Sequence, residues 1–376
     1  LSRAPPRQRT GDLAFLLESK RILICAGTGG VGKTSVSAAL GLGAARHGLR
    51  TLVLTIDPSR RLAETLRVRG NTAEPVPLDA DRAREAGISA PGSLAIWVLD
   101  PKRVSDQTVR RLVRTPGEAE RLMANPIYQQ VTSMIAGMQD YTAMEALHGF
   151  VSTGAYDLVV LDTPPSRNAL NFLEAPTRLK ESLDTRIVEL MVSGAGGASG
   201  PARRLLERVL GGVFGREFFD DLQVFFGAFG ALFAQLNGNA QKMRARLAED
   251  DVAFLLIGMA DRRALESMRS FGARIRELGL PLGAIVLNRS SEPLECRPFP
   301  DLHLLPAHPS EAHRSALAKL AGLAEREDVA IREAIALAEE LALEADTEVV
   351  SVPEMGSGVD DIAGLATLSR WLLGER

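Results

Sequence analysis

Eight consecutive residues, Gly27-Thr28-Gly29-Gly30-Val31-Gly32-Lys33-Thr34, carry the densest chemistry in this chain. Their spacing fits G-x-x-x-x-G-K-[ST], a loop that wraps nucleotide phosphates. Glycines let successive backbone N–H groups curl around phosphate oxygens with no Cβ in the way. A helix starting at the end of the loop adds the positive end of its dipole. Lys33 is then the group that reaches the β- and γ-phosphates of ATP, and the Thr34 hydroxyl is a ligand for Mg²⁺. The expected phosphate cradle comprises Gly29, Gly30, Val31, Gly32, Lys33, Thr34 and Ser35. A glycine-rich turn that happens to precede Lys-Thr is the alternative. The flanks weigh against it, because apolar Ile22-Leu23-Ile24-Cys25-Ala26 leads in and Ser35 to Arg46 reads as a helix leading out.

Two carboxylates join the loop. Asp57 follows the apolar run Thr51–Ile56, where a carboxylate at a strand tip can orient or deprotonate an attacking water. Asp162 follows Tyr156–Leu161, a position suited to supporting Mg²⁺ from behind its direct ligands, and the Pro164-Pro165 after it opens a nucleotide-sensing loop. Taken singly, either Asp could instead cap a helix. Together with the glycine loop they are assigned to the site.

These groups need a scaffold that brings strand tips together. Strand candidates are Arg21–Ala26, Thr51–Ile56, Leu94–Leu99, Asp157–Leu161, Val252–Gly258, Ala284–Leu287, His303–Leu305 and Glu348–Val352. Their alternation with helical stretches predicts an α/β fold: a P-loop NTPase with a mostly parallel sheet flanked by helices. A ligand then sits at the carboxyl ends of the strands, where the glycine loop, Asp57, Asp162 and Asn288 all fall. Residues 21–376 read as one such domain with helical insertions at about 105–150 and 169–249. The first insertion carries Gly117 and Pro126 as punctuation. The second contains a glycine-rich link at 194–200, then Leu222, Phe226, Phe229, Phe233 and Leu236 at helical spacing, with Phe218, Phe219 and Phe225 nearby. That stripe is either the buried face of a helical subdomain or a surface that takes an apolar client or partner. A further block, Pro309 to Glu344, is alanine- and charge-rich and predicted to be a helix solvated on one side. No repeat of the nucleotide unit is visible, so one ATP site per chain is expected.

Composition narrows the setting. A chain of 376 residues is long enough for one large or two ordinary domains, and a net charge of −3 gives no electrostatic case for nucleic acid or a membrane surface. The two cysteines, Cys25 and Cys296, make neither a disulfide framework nor a thiolate cage. No run approaches the ~20 apolar residues that span a bilayer, so no membrane anchor is expected. Leu1–Thr10 is Pro/Arg-rich and reads as a disordered lead, and a cytoplasmic setting follows as the expectation.

The loop, the Asp57-Pro58 switch and the Asp162-Thr163-Pro164-Pro165 switch resemble those of the ArsA-type ATPases. That family includes the arsenical-pump ATPase and the ATPase that targets tail-anchored membrane proteins. Asn125-Pro126-Ile127-Tyr128, Tyr141-Thr142-Ala143-Met144-Glu145 and Asp162 through Leu173 look like its bacterial branch, and the likeness runs from about Arg21 to the C-terminus. It implies a P-loop domain with a helical insertion, holding nucleotide near a dimer interface. It also implies that Asp57 is the catalytic carboxylate, that Asn288 reads the adenine edge and that Pro353 lines the base. Asp261 falls where an acidic residue often contacts nucleotide from the neighbouring subunit, although a helix N-cap is an equal reading.

Two departures stand out. The family's loop reads Gly-Lys-Gly-Gly, and its extra lysine stabilises phosphate charge across the dimer; here Thr28 takes that place. Loss of such a donor typically raises the barrier by about 3 kcal/mol. Arg60, Arg61 or Arg167 substitutes, the cation comes from another subunit, or turnover is slow. The partner is then a second copy or a paralogous ATPase carrying the lysine, and a hydrophobic protein is the expected client. The second departure is in cysteine. The family's metalloid site uses three thiolates and its zinc bridge a Cys-x-x-Cys. Cys25 inside a strand is expected to be buried, and Cys296 stands alone, so arsenite coupling is disfavoured. His303, His308 and His313, five apart, do not align on one helix face and are not expected to bind metal. A partitioning ATPase fits less well because of the long helical insertion. An electron carrier of the nitrogenase-reductase kind lacks the cysteine pair for a cluster.

Overall fold

The computed structural model describes residues 12–55, 61–68, 72, 74–100, 103, 106, 109–110, 115–125, 146–147, 149–163, 242, 245–290, 310–355 and 359–375. Eight strands form one sheet among these residues: β1 (Ile22–Ala26), β2 (Arg50–Thr55), β3 (Val76–Pro77), β4 (Ser93–Val98), β5 (Leu158–Asp162), β6 (Val252–Gly258), β7 (Leu282–Leu287) and β8 (Glu348–Ser351). Their order is β3-β4-β2-β5-β1-β6-β7-β8. Every pairing is parallel except that of β3 with β4. The sheet is therefore the mostly parallel one that the alternating runs predict.

The pattern of side chains explains why these runs are strands. β1, β5 and β6 are buried at every position, as parallel strands covered on both faces must be. Successive side chains go to opposite faces. Ile22, Ile24 and Ala26 join one core layer with Leu52, Leu54, Leu161 and Phe254. Leu23 and Cys25 join the other with Val53, Val160 and Leu255. Each large aliphatic side chain so buried contributes roughly 1.5–3 kcal/mol. Met268 and Phe271 of the Arg262–Glu277 helix and Leu337 and Leu341 of the Glu311–Ala345 helix close the first layer. The Lys33–Arg46 and Ile362–Leu372 helices close the second.

Register is pegged at the amino end of the sheet. Asp157 accepts hydrogen bonds from the Arg50 backbone N–H at 2.9 Å and from Arg50 Nε at 3.0 Å. Those bonds hold the Asp157 carboxyl below its ordinary pKa range. The pairing that follows brings Thr55, the last residue of β2, opposite Asp162, the last residue of β5. Asp162 is also opposite Cys25 of β1. Three strand tips are thereby aligned beside the glycine loop.

Several details differ from expectation. Strand ends move by one or two residues, and the two-residue edge strand β3 has no counterpart among the candidates. Pro77 has no N–H to give, which suits an edge position. Gly117 is not a break: it lies in the first turn of the Pro116–Ala124 helix, where Pro116 at the first position favours initiation. The Glu311–Ala345 helix buries residues only from Ile331 onward. Its first half buries no residue fully, but Leu317, Ala321, Ala324 and Asp328, at helical spacing, are half-buried while Leu320 and Leu323 on the open side are 49% and 55% exposed, as a helix solvated on one side should be. Leu1–Thr10, Pro126 to Met144, the Phe218 to Leu236 stripe and His303–Leu305 lie outside the described residues.

Candidate functional site

The glycine loop joins β1 to the Lys33–Arg46 helix. Gly30 and Gly32 take left-handed φ values of 85° and 89°, and Gly32 is the residue that caps the helix. A side chain is excluded at Gly32 for a second reason, because a Cβ there would stand 2.1 Å from Asn288 Nδ2. The backbone is thus folded back on itself at the helix N-terminus, the arrangement that presents N–H groups to an anion. Gly32→Ala is expected to weaken ATP binding by about ten-fold or more, since the left-handed conformation alone costs an L-residue ~1–2 kcal/mol. Titration with a fluorescent ATP analogue checks this. Unchanged affinity would show that the loop does not need its glycine here.

Lys33 is buried, at 6% exposure, and its ammonium donates to the Thr28 carbonyl at 2.8 Å. The lysine is drawn back across the loop's own opening. Thr34 Oγ1 donates to Asp162 Oδ2 at 2.8 Å, and Thr55 Oγ1 donates to the same oxygen at 2.9 Å. Asp162 is completely buried. Against the loop, Asn288 Nδ2 donates to the Val31 carbonyl at 2.8 Å, so one of its amide hydrogens is committed to the loop.

The loop and Asn288 border a cavity of about 1000 Å³. Gly29, Gly30, Gly32, Lys33, Thr34 and Ser35 line it together with Asn288, Arg289 and Pro353. Glu64 and Thr65 on the Arg61–Thr65 helix border it as well, as do Glu354, Met355, Val359 and Asp360. Val31 is buried beneath the loop and contributes its carbonyl. The structure thus brings together the expected loop residues, Asn288 and Pro353, with Asp162 behind Thr34. Asp57, Arg60, Pro164, Pro165 and Arg167 lie outside the described residues, and of Arg61 only the backbone is described.

The donors available to a cation are a hydroxyl and a carboxylate, hard oxygen ligands that fit Mg²⁺. Among the described residues no three His, Cys, Asp or Glu side chains cluster closely enough to hold a metal unaided. Mg²⁺ characteristically uses one or two protein oxygens and takes the rest from phosphate and water. The remaining sequence candidates are placed plainly. Asp261 caps the Arg262–Glu277 helix, accepting from the backbone N–H groups of Arg263 and Ala264 at 3.0 and 2.9 Å. Cys25 is fully buried in β1, and burial pushes its thiol up to about 12. His313 is exposed at the start of the long helix, whereas His303, His308 and Cys296 lie outside the described residues.

Two features of the site, one on the cavity wall and one behind it, are not legible in the sequence alone. Arg289 has a left-handed φ of 52°, lines the cavity and forms no ion pair among the described residues. Its signal was the cation directly after a strand-ending Asn. Thr55 was passed over as a β-branched strand residue, although it is a hydroxyl at a buried strand end beside Asp162.

Comparison with known proteins adds the following. The family model described as anion-transporting ATPase matches residues 20–290. An uncharacterized protein of Streptomyces coelicolor is 34% identical over 43% of this chain and 39% of its own length. A putative arsenical pump-driving ATPase of Aquifex aeolicus is 26% identical over the same shares, 43% and 39%. The ATPase GET3 of Malassezia globosa is 22% identical over 74% of this chain and 75% of its own. The matched part of the chain spans about two-fifths of the length of the first two of these relatives.

Proposed function

The chain belongs to the anion-transporting ATPase family of the ArsA type, and we propose that it binds and hydrolyses MgATP in the cavity beneath its glycine loop. One observation carries this reading: Lys33, Thr34 with Asp162 bonded behind it, and two left-handed glycines converge on a nucleotide-sized space that Asn288 and Pro353 also line. The loop amides and Lys33 hold the phosphates, with Lys33 exchanging the Thr28 carbonyl for phosphate oxygen. Thr34, with Asp162 bonded to it, would hold Mg²⁺, which would supply positive charge against the phosphates. Asp57, two residues beyond β2, orients the attacking water. Pro353 and Asn288 bracket the base. Asn288 uses one N–H on Val31, so its remaining N–H and its carbonyl are what it offers to adenine.

The expected output is a change in the arrangement of two subunits that acts on a protein or membrane-protein client. The Phe-bearing stripe near Phe226 and Phe233 is the sequence feature that favours such a client. Metalloid is disfavoured as cargo, because Cys25 is buried and protonated and this sequence offers only Cys296 besides. No helix among the described residues is long and apolar enough to cross a membrane, which is compatible with the expected cytoplasmic setting.

A second reading rests on Thr28. Phosphoryl transfer spreads negative charge over the γ-oxygens, and a threonine supplies no cation there. The chain is then a weakly active subunit paired with a paralogue that carries Gly-Lys-Gly-Gly. The test is steady-state phosphate release by the isolated protein. Slow turnover is expected, raised by Thr28→Lys or by adding such a paralogue. Fast turnover that falls on mutating Arg60, Arg61 or Arg167 would remove the heterodimer reading, and failure to bind ATP at all would remove the ATPase reading.

A further inference from the structure

The two hydroxyls that meet at Asp162 are unlike in origin. Thr34 comes from the glycine loop, and its bond to a carboxylate at the end of β5 belongs to the metal site already described. Thr55 comes from β2, on the other side of β5 from the loop strand. It is 1% exposed and approaches neither the cavity nor a phosphate position. Its hydroxyl nevertheless reaches the same carboxylate oxygen as Thr34, at 2.9 Å against 2.8 Å.

We propose that Thr55 is a positioning residue for the metal: its hydroxyl fixes the Asp162 carboxylate and so sets the cation affinity of the nucleotide-loaded site. A carboxylate that loses a donor gains freedom to swing about its Cβ–Cγ bond. Two donors from different elements, converging on one oxygen, stop that rotation and hold the group against Thr34. Donors that orient a metal-binding carboxylate typically govern affinity by ~10–100-fold when removed. The same hydroxyl ties the end of β5 to the end of β2, from which the chain continues to Asp57. Movement of the metal-side carboxylate is therefore transmitted to the strand that presents the water-orienting carboxylate. The inference rests on the MgATP reading above.

The experiment uses Mn²⁺ as a paramagnetic stand-in for Mg²⁺ and ADP as the nucleotide, so no turnover is involved. Electron paramagnetic resonance measures Mn²⁺ affinity of the ADP complex for the unmodified protein, Thr55→Val and Thr55→Ser. ADP binding in excess chelator is measured alongside. Thr55→Val keeps the shape and removes the donor, and is expected to weaken Mn²⁺ binding by about ten-fold while metal-free ADP binding is unchanged. Thr55→Ser restores Mn²⁺ affinity. Equal Mn²⁺ affinity in Thr55→Val and the unmodified protein overturns the proposal. So does a matching loss of metal-free ADP binding, which would mark a merely structural hydroxyl. If Thr55→Val does not fold, Thr55→Ala takes its place, and failure of both to fold also overturns it. If the unmodified protein itself binds no ADP, the nucleotide reading fails instead, a result distinguishable from all of these.

Discussion

Lys33→Ala is expected to weaken ATP binding by about 100-fold, measured by calorimetric titration with MgATP. A charge-assisted hydrogen bond to an anion contributes about 1.5–3 kcal/mol, and ~3 kcal/mol corresponds to roughly two decades of affinity. The site is arranged to extract the upper part of that range. Lys33 is almost wholly buried and its ammonium is bonded to the Thr28 carbonyl, so the charge is already out of water before phosphate arrives. Transfer from a neutral carbonyl to a phosphate oxygen then gains electrostatic energy with little further desolvation. The fold should survive, because Lys33 belongs to neither of the two apolar layers of the sheet. Near-normal affinity in a folded Lys33→Ala protein would mean that the cavity takes its ligand without the loop lysine, and the phosphate assignment would fall.

Asp57→Asn should separate binding from chemistry. ATP affinity is expected to remain within experimental error while single-turnover hydrolysis falls by about 10²–10⁴, the usual contribution of a positioned acid–base group. Asn preserves size and reach but is neutral, turns one acceptor oxygen into a donor and cannot take a proton from water, so the substitution removes the carboxylate's chemistry while keeping its shape. Asp57 follows β2 by two residues, and the Thr55–Asp162 bond fixes where β2 ends relative to Asp162 and Thr34. Rapid-quench measurement of the first turnover, rather than steady-state rate, is the informative readout, because subunit rearrangement can limit the steady state. Wild-type single-turnover rate in Asp57→Asn would assign water activation to another group.

Much of this architecture was readable in the residues themselves. β1 and β6 announce themselves as Ile22-Leu23-Ile24-Cys25-Ala26 and Val252 through Gly258 because a strand covered on both faces needs apolar side chains at every position. The glycine loop was readable for the opposite reason: its composition is intolerable anywhere except a left-handed turn. β3 was not, because two residues carry no periodicity and Pro77 argues against a strand. The Asn288–Val31 bond spans 257 positions of sequence. No local pattern announces such a contact, and the likeness to known ATPases pointed Asn288 only toward the base. Thr55 was hidden by its own propensity: a β-branched residue ending a strand looks like a strand former. Its chemistry appears only when β5 is laid beside it, 107 residues later. Arg289 was adjacent to a singled-out residue, yet its left-handed backbone and its place on the cavity wall are properties of the turn.

The position of β1 has a further consequence, for how the molecule comes into being. The strand that leads into the glycine loop precedes both of its neighbours by a long stretch of sequence: they are β5 and β6, which end at Asp162 and Gly258. Both edges of β1 must be paired before the loop has a rigid base, and both pairings close very long stretches of chain. During synthesis the nucleotide motif leaves the ribosome before either of its partner strands, and it then waits until Gly258 has emerged. Through that interval Ile22 to Ala26 is an apolar ribbon with open hydrogen-bonding edges, the kind of segment that nascent-chain chaperones shield. A polypeptide truncated before β6 retains every residue of the phosphate motif and yet leaves one side of β1 without the strand that supports it.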